Sequence, residues 1–222
     1  MESTRVFLPP VYPILDTGLF PDAVLAAEAW LEAGAGILQF RHKTFWTRDT
    51  LLQAEQIHSL CLQNEAIFVV NDRADYAALL NADALHVGQE DLTPAEARRV
   101  VPPETIIGFS THNPAQISAA QNEPIDYLAF GPVFPTASKQ NPDPTVGIEG
   151  LKRARTLTDK PLVAIGGITL DNARLCFEAG ADSLALISAL IPRLWTKQAL
   201  RARMTDWLQL SAILHKWQDR NQ

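Results

Sequence analysis

The sequence predicts a single (β/α)8 barrel, the TIM-barrel fold of the α/β class. Eight short apolar runs rich in β-branched residues recur along the chain, and stretches with helical spacing separate them. Strands that alternate with helices pair in parallel through crossover connections, and eight such units favour a closed barrel. The length of 222 residues is near the ~250 residues typical of this fold. We therefore expect one catalytic domain over residues 1–222.

The eight predicted strands are short and apolar. They are Val11–Leu15, Ile37–Phe40, Ile67–Val70, Ala84–Val87, Thr105–Phe109, Tyr127–Phe130, Leu162–Ile165 and Ser183–Ile187. An open, doubly wound sheet is the alternative architecture. However, no glycine-rich nucleotide loop follows the first strand, and no feature marks a reversal of strand order. The closed barrel is therefore favoured.

Helical spacing and capping signals lie between these strands. The spacing is clear in Ala23–Ala33, Leu51–Leu62, Ala115–Ala120 and Ala173–Ala179. Thr93 and Asn113 each precede a proline, which is typical of a helix N-cap followed by proline at the first helical position. After the eighth strand an apolar stripe predicts a helix on the barrel wall, with cover of a neighbouring subunit as the alternative. The stripe consists of Leu200, Met204, Trp207, Leu208, Leu214 and Trp217.

Composition limits the classes of function. The 19 Lys and Arg residues against 25 Asp and Glu give a net charge of -6, which argues against a nucleic-acid partner. No apolar run approaches the roughly 18 residues of a membrane span, and the N-terminus lacks a signal-peptide core. Cys61 and Cys176 indicate neither a disulfide framework nor a metal site, and we expect both to be buried. We expect a cytoplasmic protein with small-molecule partners, and homo-oligomerisation stays open.

Polar segments follow the predicted strands at the end where barrels carry their active sites. They are Gln39-Phe40-Arg41-His42-Lys43, Asn71-Asp72, Gln89-Glu90-Asp91, Ser110-Thr111-His112 and Ser188. Arg41 and Lys43 are two positions apart, so on an extended strand end both face the same side. They offer a bidentate fork and a point charge to phosphate oxygens. A solvated surface pair is the alternative.

Two carboxylates follow neighbouring strands. Asp72 and Asp91 could reach one hard cation that keeps several of its waters, which is the habit of Mg²⁺. Asp72 could instead cap a helix beginning near Arg73. Asp91 could instead be an exposed turn residue, because Thr93 already supplies the cap of the next helix.

The loops after the sixth and seventh strands predict anion contacts. Gly166-Gly167 allows close backbone approach, and Thr169 could cap a helix just beyond it, where barrels commonly bind phosphate. The proline-rich segment Gly131–Glu149 is long enough to act as a lid, and it carries Thr136, Ser138 and Lys139. His86, within an apolar strand, is predicted to be a hydrogen-bonded core residue. Two phosphorylated substrates, one a metal-bound pyrophosphate, fit this set of cations, carboxylates and glycines.

At these positions the sequence resembles the thiamine phosphate synthase family, (β/α)8 enzymes that join hydroxymethylpyrimidine pyrophosphate to thiazole phosphate. The resemblance runs from about Tyr12 to Leu190. Its most specific stretches are residues 39–43, 70–73, 85–92, 107–112, 130–136 with Ser138-Lys139, and 164–168.

The resemblance implies a Mg²⁺-dependent, dissociative transferase reaction that releases pyrophosphate, with Arg41, Lys43, Ser110 and Lys139 as catalytic residues. The pyrimidine pyrophosphate would be held by Gln39, Arg41, Lys43, Asn71, Ser110 and Lys139. The thiazole phosphate would be held by Thr136, Ala137, Ser138, Gly167, Ile187 and Ser188. Asp72 and Asp91 would bind the Mg²⁺.

Two residues depart from the family pattern. His42 replaces the usual glutamate between the arginine and the lysine, and Phe40 replaces the usual leucine. A thiazole tautomerase of the same superfamily is the alternative function, although that branch typically lacks the Asn-Asp pair and has a histidine in place of Pro132. A non-catalytic barrel that senses phosphorylated thiamine precursors is a third interpretation, against which the retained ligand set argues.

Overall fold

The computed structural model describes residues 6–136 and 144–219, which contain a closed barrel of eight parallel strands. Each strand pairs with the next in the chain, and β1 pairs with β8 to close the barrel. The predicted (β/α)8 fold is confirmed. The strands are β1 (Val11–Asp16), β2 (Ile37–Arg41), β3 (Ile67–Asn71), β4 (Ala84–Val87), β5 (Ile106–Thr111), β6 (Tyr127–Phe130), β7 (Leu162–Ile165) and β8 (Ser183–Leu186).

Helices form the outer layer between successive strands. Thr93 and Asn113 cap their helices as predicted, since each side chain accepts a backbone N–H of the first turn. A short 3₁₀ turn, Ser188–Leu190, follows β8. The helices are α1 (Ala23–Glu32), α2 (Arg48–Gln63), α3 (Ala74–Leu79), α4 (Pro94–Ala97), α5 (Pro114–Ala120), α6 (Gly147–Thr156), α7 (Ala173–Glu178) and α8 (Lys197–Asp219).

Several strands end later than their apolar runs. Asp16 pairs in register with Arg41, and Asn71 pairs with His86, so the backbone ladder continues into polar sequence. β5 reaches Thr111, whereas β8 ends one residue before the predicted Ile187. Backbone hydrogen bonding does not depend on side-chain polarity, which explains why apolar runs underestimate strand length.

Alternation along the strands separates two apolar layers. In β2, Leu38 and Phe40 pack in the layer between sheet and helices, and Ile37 packs inside the barrel. Gln39 and Arg41 continue the inward series and line a cavity above Ile37. The period of two therefore brings the polar strand ends to one place and directs the unusual Phe40 away from it.

The C-terminal helix α8 covers the barrel wall. It packs chiefly on α1, and Leu200, Met204, Trp207 and Leu214 are buried. This confirms the wall interpretation of the apolar stripe. The side chain of Trp217 lies outside the described residues.

Both cysteines are buried and free, as predicted, and burial raises the pKa of each thiol to about 12. Neither is a reactive thiolate near neutral pH. No helix among residues 6–136 and 144–219 is both long and apolar enough to cross a membrane.

One glycine makes room for a large ring inside the barrel. A Cβ at Gly108 would lie 2.0 Å from Cζ of Tyr127, whose side chain is fully buried on the neighbouring strand. Such a contact cannot exist without displacing the ring.

We predict that Gly108→Ala lowers the free energy of unfolding by about 1–3 kcal/mol through overpacking, measured by urea denaturation. Gly36→Ala is the control, because its added Cβ would come no closer than 3.2 Å to its nearest neighbour, Pro9 Cγ. Equal effects of the two changes would contradict the packing role assigned to Gly108.

Candidate active site

An open cavity of ≈ 870 Å³ lies at the carboxyl ends of the strands. Most of the predicted site residues line it. Those that line it are Gln39, Arg41, Lys43, Asn71, Asp72, Asp91, Ser110, Thr136, Gly167, Ile187 and Ser188. Three further predicted residues, Ala137, Ser138 and Lys139, lie outside the described residues. The predicted lid, Gly131–Glu149, falls partly on residues outside the described ranges, and its last residues belong to α6, which begins at Gly147.

An aspartate at the end of β1 holds Arg41. The guanidinium donates to Asp16 Oδ2, while Oδ1 of the same carboxylate accepts the Gly18 N–H at 2.9 Å. Burial lowers the pKa of Arg41, and the charge of Asp72 opposes that shift. Sequence analysis did not identify Asp16. The available signal was its place in the inward series Tyr12, Ile14, Asp16, where a charge needs a partner.

Lys43 and Asp72 form the second charged pair of the site. Lys43 Nζ lies 2.5 Å from Asp72 Oδ2, and the lysine side chain is half exposed. Asp72 adopts a left-handed backbone conformation with φ of 64°, and its N–H donates to the His86 carbonyl at 2.7 Å. The capping alternative is wrong, because Arg73 occupies the N-cap position of α3 and no side chain caps that helix.

Asp91 completes a pair of neighbouring carboxylates. Its Oδ2 accepts the Gly88 N–H at 2.7 Å, which holds it toward the cavity. Burial and then the charge of Asp72 raise the pKa of Asp91. The alternative of an exposed turn residue is wrong, because Asp91 is half-buried and lines the cavity.

The two carboxylates suit a cation that takes few protein ligands. No cluster of three or more His, Cys, Asp or Glu side chains suited to a metal exists within the part of the chain that is described. Asp72 and Asp91 are the kind of ligand set that Mg²⁺ takes, since this ion is held by one or two carboxylates together with waters and substrate phosphates. Beside them, the buried Nδ2 of Asn71 has no hydrogen-bond partner and is available to a ligand.

The glycines after β7 are required by a neighbouring loop. Gly166 and Gly167 have φ of 98° and 65°, and a Cβ at Gly167 would lie 2.4 Å from the Pro135 carbonyl oxygen. The Phe134 N–H donates to the Gly166 carbonyl at 3.0 Å. The glycines thus admit the segment after β6, and they also line the cavity as predicted.

Thr169 does not cap α7 as suggested by the sequence. The helix begins at Ala173 with Asn172 at the N-cap position. Asn172 Oδ1 instead accepts the Thr169 N–H at 2.8 Å, and its Nδ2 donates to the Gly167 carbonyl at 3.0 Å. Asn172 therefore stiffens the loop that carries the glycines.

The residue that departs from the family motif joins two loops. His42 Nδ1 lies 2.7 Å from Thr17 Oγ1, and Nε2 lies 2.8 Å from Thr44 Oγ1. Its ring meets the Trp46 ring edge-on at 6.0 Å. His42 is absent from the cavity lining formed by Arg41 and Lys43, so its contacts are those of a loop-tying residue.

A (β/α)8 barrel with a polar cavity at the carboxyl ends of its strands has the architecture of an enzyme. The family model described as thiamine monophosphate synthase matches residues 11–190, and the chain belongs to this family. It is a transferase, as its relatives are.

Relatives match over most of their lengths. A thiamine-phosphate synthase of Koribacter versatilis is 46% identical over 94% of this chain and 97% of its own length. One from Chlorobium phaeovibrioides is 42% identical over 82% of this chain and 86% of its own. The structure of a thiamine phosphate pyrophosphorylase from Pyrococcus furiosus aligns with a TM-score of 0.81 at 32% identity, covering 92% of this chain and 96% of that one.

We predict that Asp16→Asn destabilises the protein by about 2 kcal/mol, because an amide N–H would then face a guanidinium with little access to water. Chemical denaturation measures the change. The matched control is Asp75→Asn, which breaks an aspartate–arginine pair whose side chains are 61% and 40% exposed, against 8% and 14% for Asp16 and Arg41. The control should change stability by less than about 0.5 kcal/mol. Equal losses would show that burial does not set the value of the Asp16 pair.

Proposed function

We propose that this chain condenses hydroxymethylpyrimidine pyrophosphate with thiazole phosphate, giving thiamine phosphate and pyrophosphate in a Mg²⁺-dependent reaction. One observation carries the proposal: two cations, Arg41 and Lys43, lie beside two carboxylates, Asp72 and Asp91, in one cavity. This set suits a metal-bound pyrophosphate. The names of the relatives support the same reaction.

The condensation reaction depends mainly on charge stabilisation. The bond between the pyrimidine methylene carbon and the pyrophosphate oxygen breaks first, and its electron pair leaves with pyrophosphate. Arg41 and Lys43 stabilise the negative charge on that leaving group. Asp72 and Asp91 would hold Mg²⁺, which would supply further charge neutralisation. The electron-rich pyrimidine bears the resulting cation, and the thiazole nitrogen attacks it to form the new C–N bond.

The remaining cavity residues position the substrates. Gln39, Asn71 and Ser110 offer polar groups to the pyrimidine substrate, and the unpartnered Nδ2 of Asn71 supports this assignment. Thr136, Gly167, Ile187 and Ser188 also line the cavity, and we assign them to the thiazole phosphate. Ala137, Ser138 and Lys139 join these sets by the resemblance alone. Holding two substrates in contact replaces a bimolecular encounter with an oriented one.

The experiment that tests the proposal is an assay of the purified protein with both substrates and Mg²⁺, with detection of thiamine phosphate and released pyrophosphate. Formation of both products supports the condensation. Isomerisation of the thiazole carboxylate without coupling would identify the tautomerase alternative. Binding of a precursor without turnover would identify a sensor. A cytoplasmic location, a homo-oligomer and the lack of a nucleic-acid partner stay predictions.

We predict that removing Mg²⁺ with a chelator abolishes synthesis and that Asp91→Asn lowers kcat/KM at least 100-fold, about 2.7 kcal/mol of transition-state stabilisation. Thermal unfolding should change little, because Asp91 faces the cavity rather than the apolar core. Added Mg²⁺ should restore the chelated wild-type protein fully and the variant only in part. Full activity of Asp91→Asn at limiting Mg²⁺ would remove this residue from the metal site.

We predict that His42→Glu, which introduces the usual family residue, keeps kcat/KM within about tenfold, or 1.4 kcal/mol. The reason is that His42 itself does not line the cavity and bonds to the loop residues Thr17 and Thr44, of which only Thr44 does. Lys43→Ala provides the contrast. The Lys43 ammonium lines the cavity, so its loss should lower kcat/KM at least 100-fold. A pH–rate limb that disappears with the histidine would instead give His42 a part in proton transfer.

A further inference from the structure

We propose that a hydrogen-bonded chain beneath the cavity holds His86 as its neutral Nε2–H tautomer and thereby makes Ser110 a hydrogen-bond donor toward the pyrimidine substrate. The chain runs Gln39, Tyr12, Tyr127, His86, Ser110 and crosses the barrel interior. Tyr12, Tyr127 and His86 are positioning residues in this inference, since they act through Gln39 and Ser110. The inference rests on the proposed function and deepens it.

The contacts of the chain are continuous. Gln39 Nε2 donates to Tyr12 Oη at 2.9 Å, and Tyr12 Oη lies 2.8 Å from Tyr127 Oη. Tyr127 Oη lies 3.0 Å from His86 Nδ1, and His86 Nε2 lies 2.9 Å from Ser110 Oγ. All four distances are those of good hydrogen bonds. Five strands thus contribute one member each.

Most of the chain is buried. Tyr12 and Tyr127 are 1% and 0% exposed, and Gln39 and His86 are also buried. Burial raises the pKa of both phenols above the ordinary value, so both carry their protons near neutral pH. A buried hydroxyl hydrogen without an acceptor is costly, so each hydroxyl donates to a neighbouring acceptor.

These conditions fix one direction for the whole chain. Because Gln39 donates to Tyr12, the Tyr12 hydroxyl hydrogen goes to Tyr127, and the Tyr127 hydrogen goes to His86 Nδ1. Nδ1 is therefore an acceptor, and the ring proton resides on Nε2. Nε2–H then donates to Ser110 Oγ, which turns the serine hydrogen away from His86. Ser110 lines the cavity, so its hydrogen is presented to an acceptor there.

The geometry depends on Gly108. Without a Cβ at that position, the Tyr127 ring fits across β5 and stacks on His86 with centroids 5.5 Å apart. Tyr12 meets the same ring edge-on at 6.1 Å. Both tyrosine rings are buried and in contact, so the hydroxyl positions are set by packing.

The ligand chemistry agrees with this direction. Pyrimidine ring nitrogens are hydrogen-bond acceptors, and a donor of fixed orientation in a site with little water binds them with little reorganisation. Reversal of the chain would make Ser110 donate to His86 and leave only lone pairs for the ligand. The direction of a buried network is therefore a specificity determinant for the pyrimidine half of the reaction.

The first experiment measures the tautomer directly, by ¹⁵N NMR of protein labelled at histidine, with the His86 signals assigned by their loss in His86→Gln. We expect one neutral ring with the proton on Nε2 in the wild-type protein and a mixture of tautomers in Tyr127→Phe. This measurement needs no turnover, so it tests the chain even if the proposed condensation fails. A wild-type ring protonated on Nδ1, or an unchanged tautomer in Tyr127→Phe, would overturn the inference.

The second experiment measures kinetics for each substrate. Tyr127→Phe should raise the KM for the pyrimidine pyrophosphate about tenfold, the loss of roughly one hydrogen bond, and leave the KM for thiazole phosphate within about twofold. Tyr76→Phe is the matched control, since this tyrosine stacks on Trp46 outside the chain. Tyr12→Phe should repeat the effect and replaces Tyr127→Phe if the latter does not fold.

A double-mutant cycle separates positioning from general damage. If Tyr127 acts through Ser110, the effects of Tyr127→Phe and Ser110→Ala on the pyrimidine KM overlap, and the double variant is little worse than Ser110→Ala alone. Fully additive effects, or equal losses for both substrates, would assign Tyr127 a structural role only.

Discussion

Closure of the barrel is the constraint on which every other feature depends. A closed parallel sheet divides each strand into residues that point inward and residues that face the helices, with a period of two. Ile37, Gln39 and Arg41 therefore stand one above another inside the barrel, whereas Phe40 packs outside with Trp46. The interior changes from apolar at its lower end to hydrogen-bonded in the middle and charged at the top. The polar and charged interior residues lie at the top, where they line the cavity.

The two cations of the charged layer that the structure describes, Arg41 and Lys43, each pair with a carboxylate. Arg41 with Asp16 is buried, whereas Lys43 with Asp72 is open to solvent on the lysine side. A buried cation without a partner would be expensive, so Asp16 is a condition for having Arg41 inside the barrel at all. Asp91 differs, because the charge that acts on it most strongly is that of another carboxylate, Asp72, which raises its pKa beyond the effect of burial. This imbalance marks the position where a cation would relieve repulsion.

The strands and most site residues could be predicted from the sequence because they depend on local pattern. Apolar runs locate all eight strands, and polar residues after them locate the cavity. The Asp16–Arg41 pair and the Tyr12–Tyr127 contact could not be predicted in this way, because they join residues 25 and 115 positions apart that meet only inside the barrel. Gly166 and Gly167 show a related limit. Their pattern suggests a phosphate-binding site. Glycine is required at these positions largely because the backbone of a neighbouring loop packs against them.

The hydrogen-bonded middle layer explains why this barrel accepts polar groups where Leu or Val would pack more simply. Four of the five residues in the Gln39-to-Ser110 chain are buried. Each contributes no more net stability than an apolar residue of similar volume would. What the layer adds is orientation, because rings held by packing fix the direction of every hydroxyl above and beside them. A site that works by charge and hydrogen-bond stabilisation needs donors that do not reorient during the reaction. The polar layer therefore serves the chemistry at the top of the barrel rather than the stability of the fold.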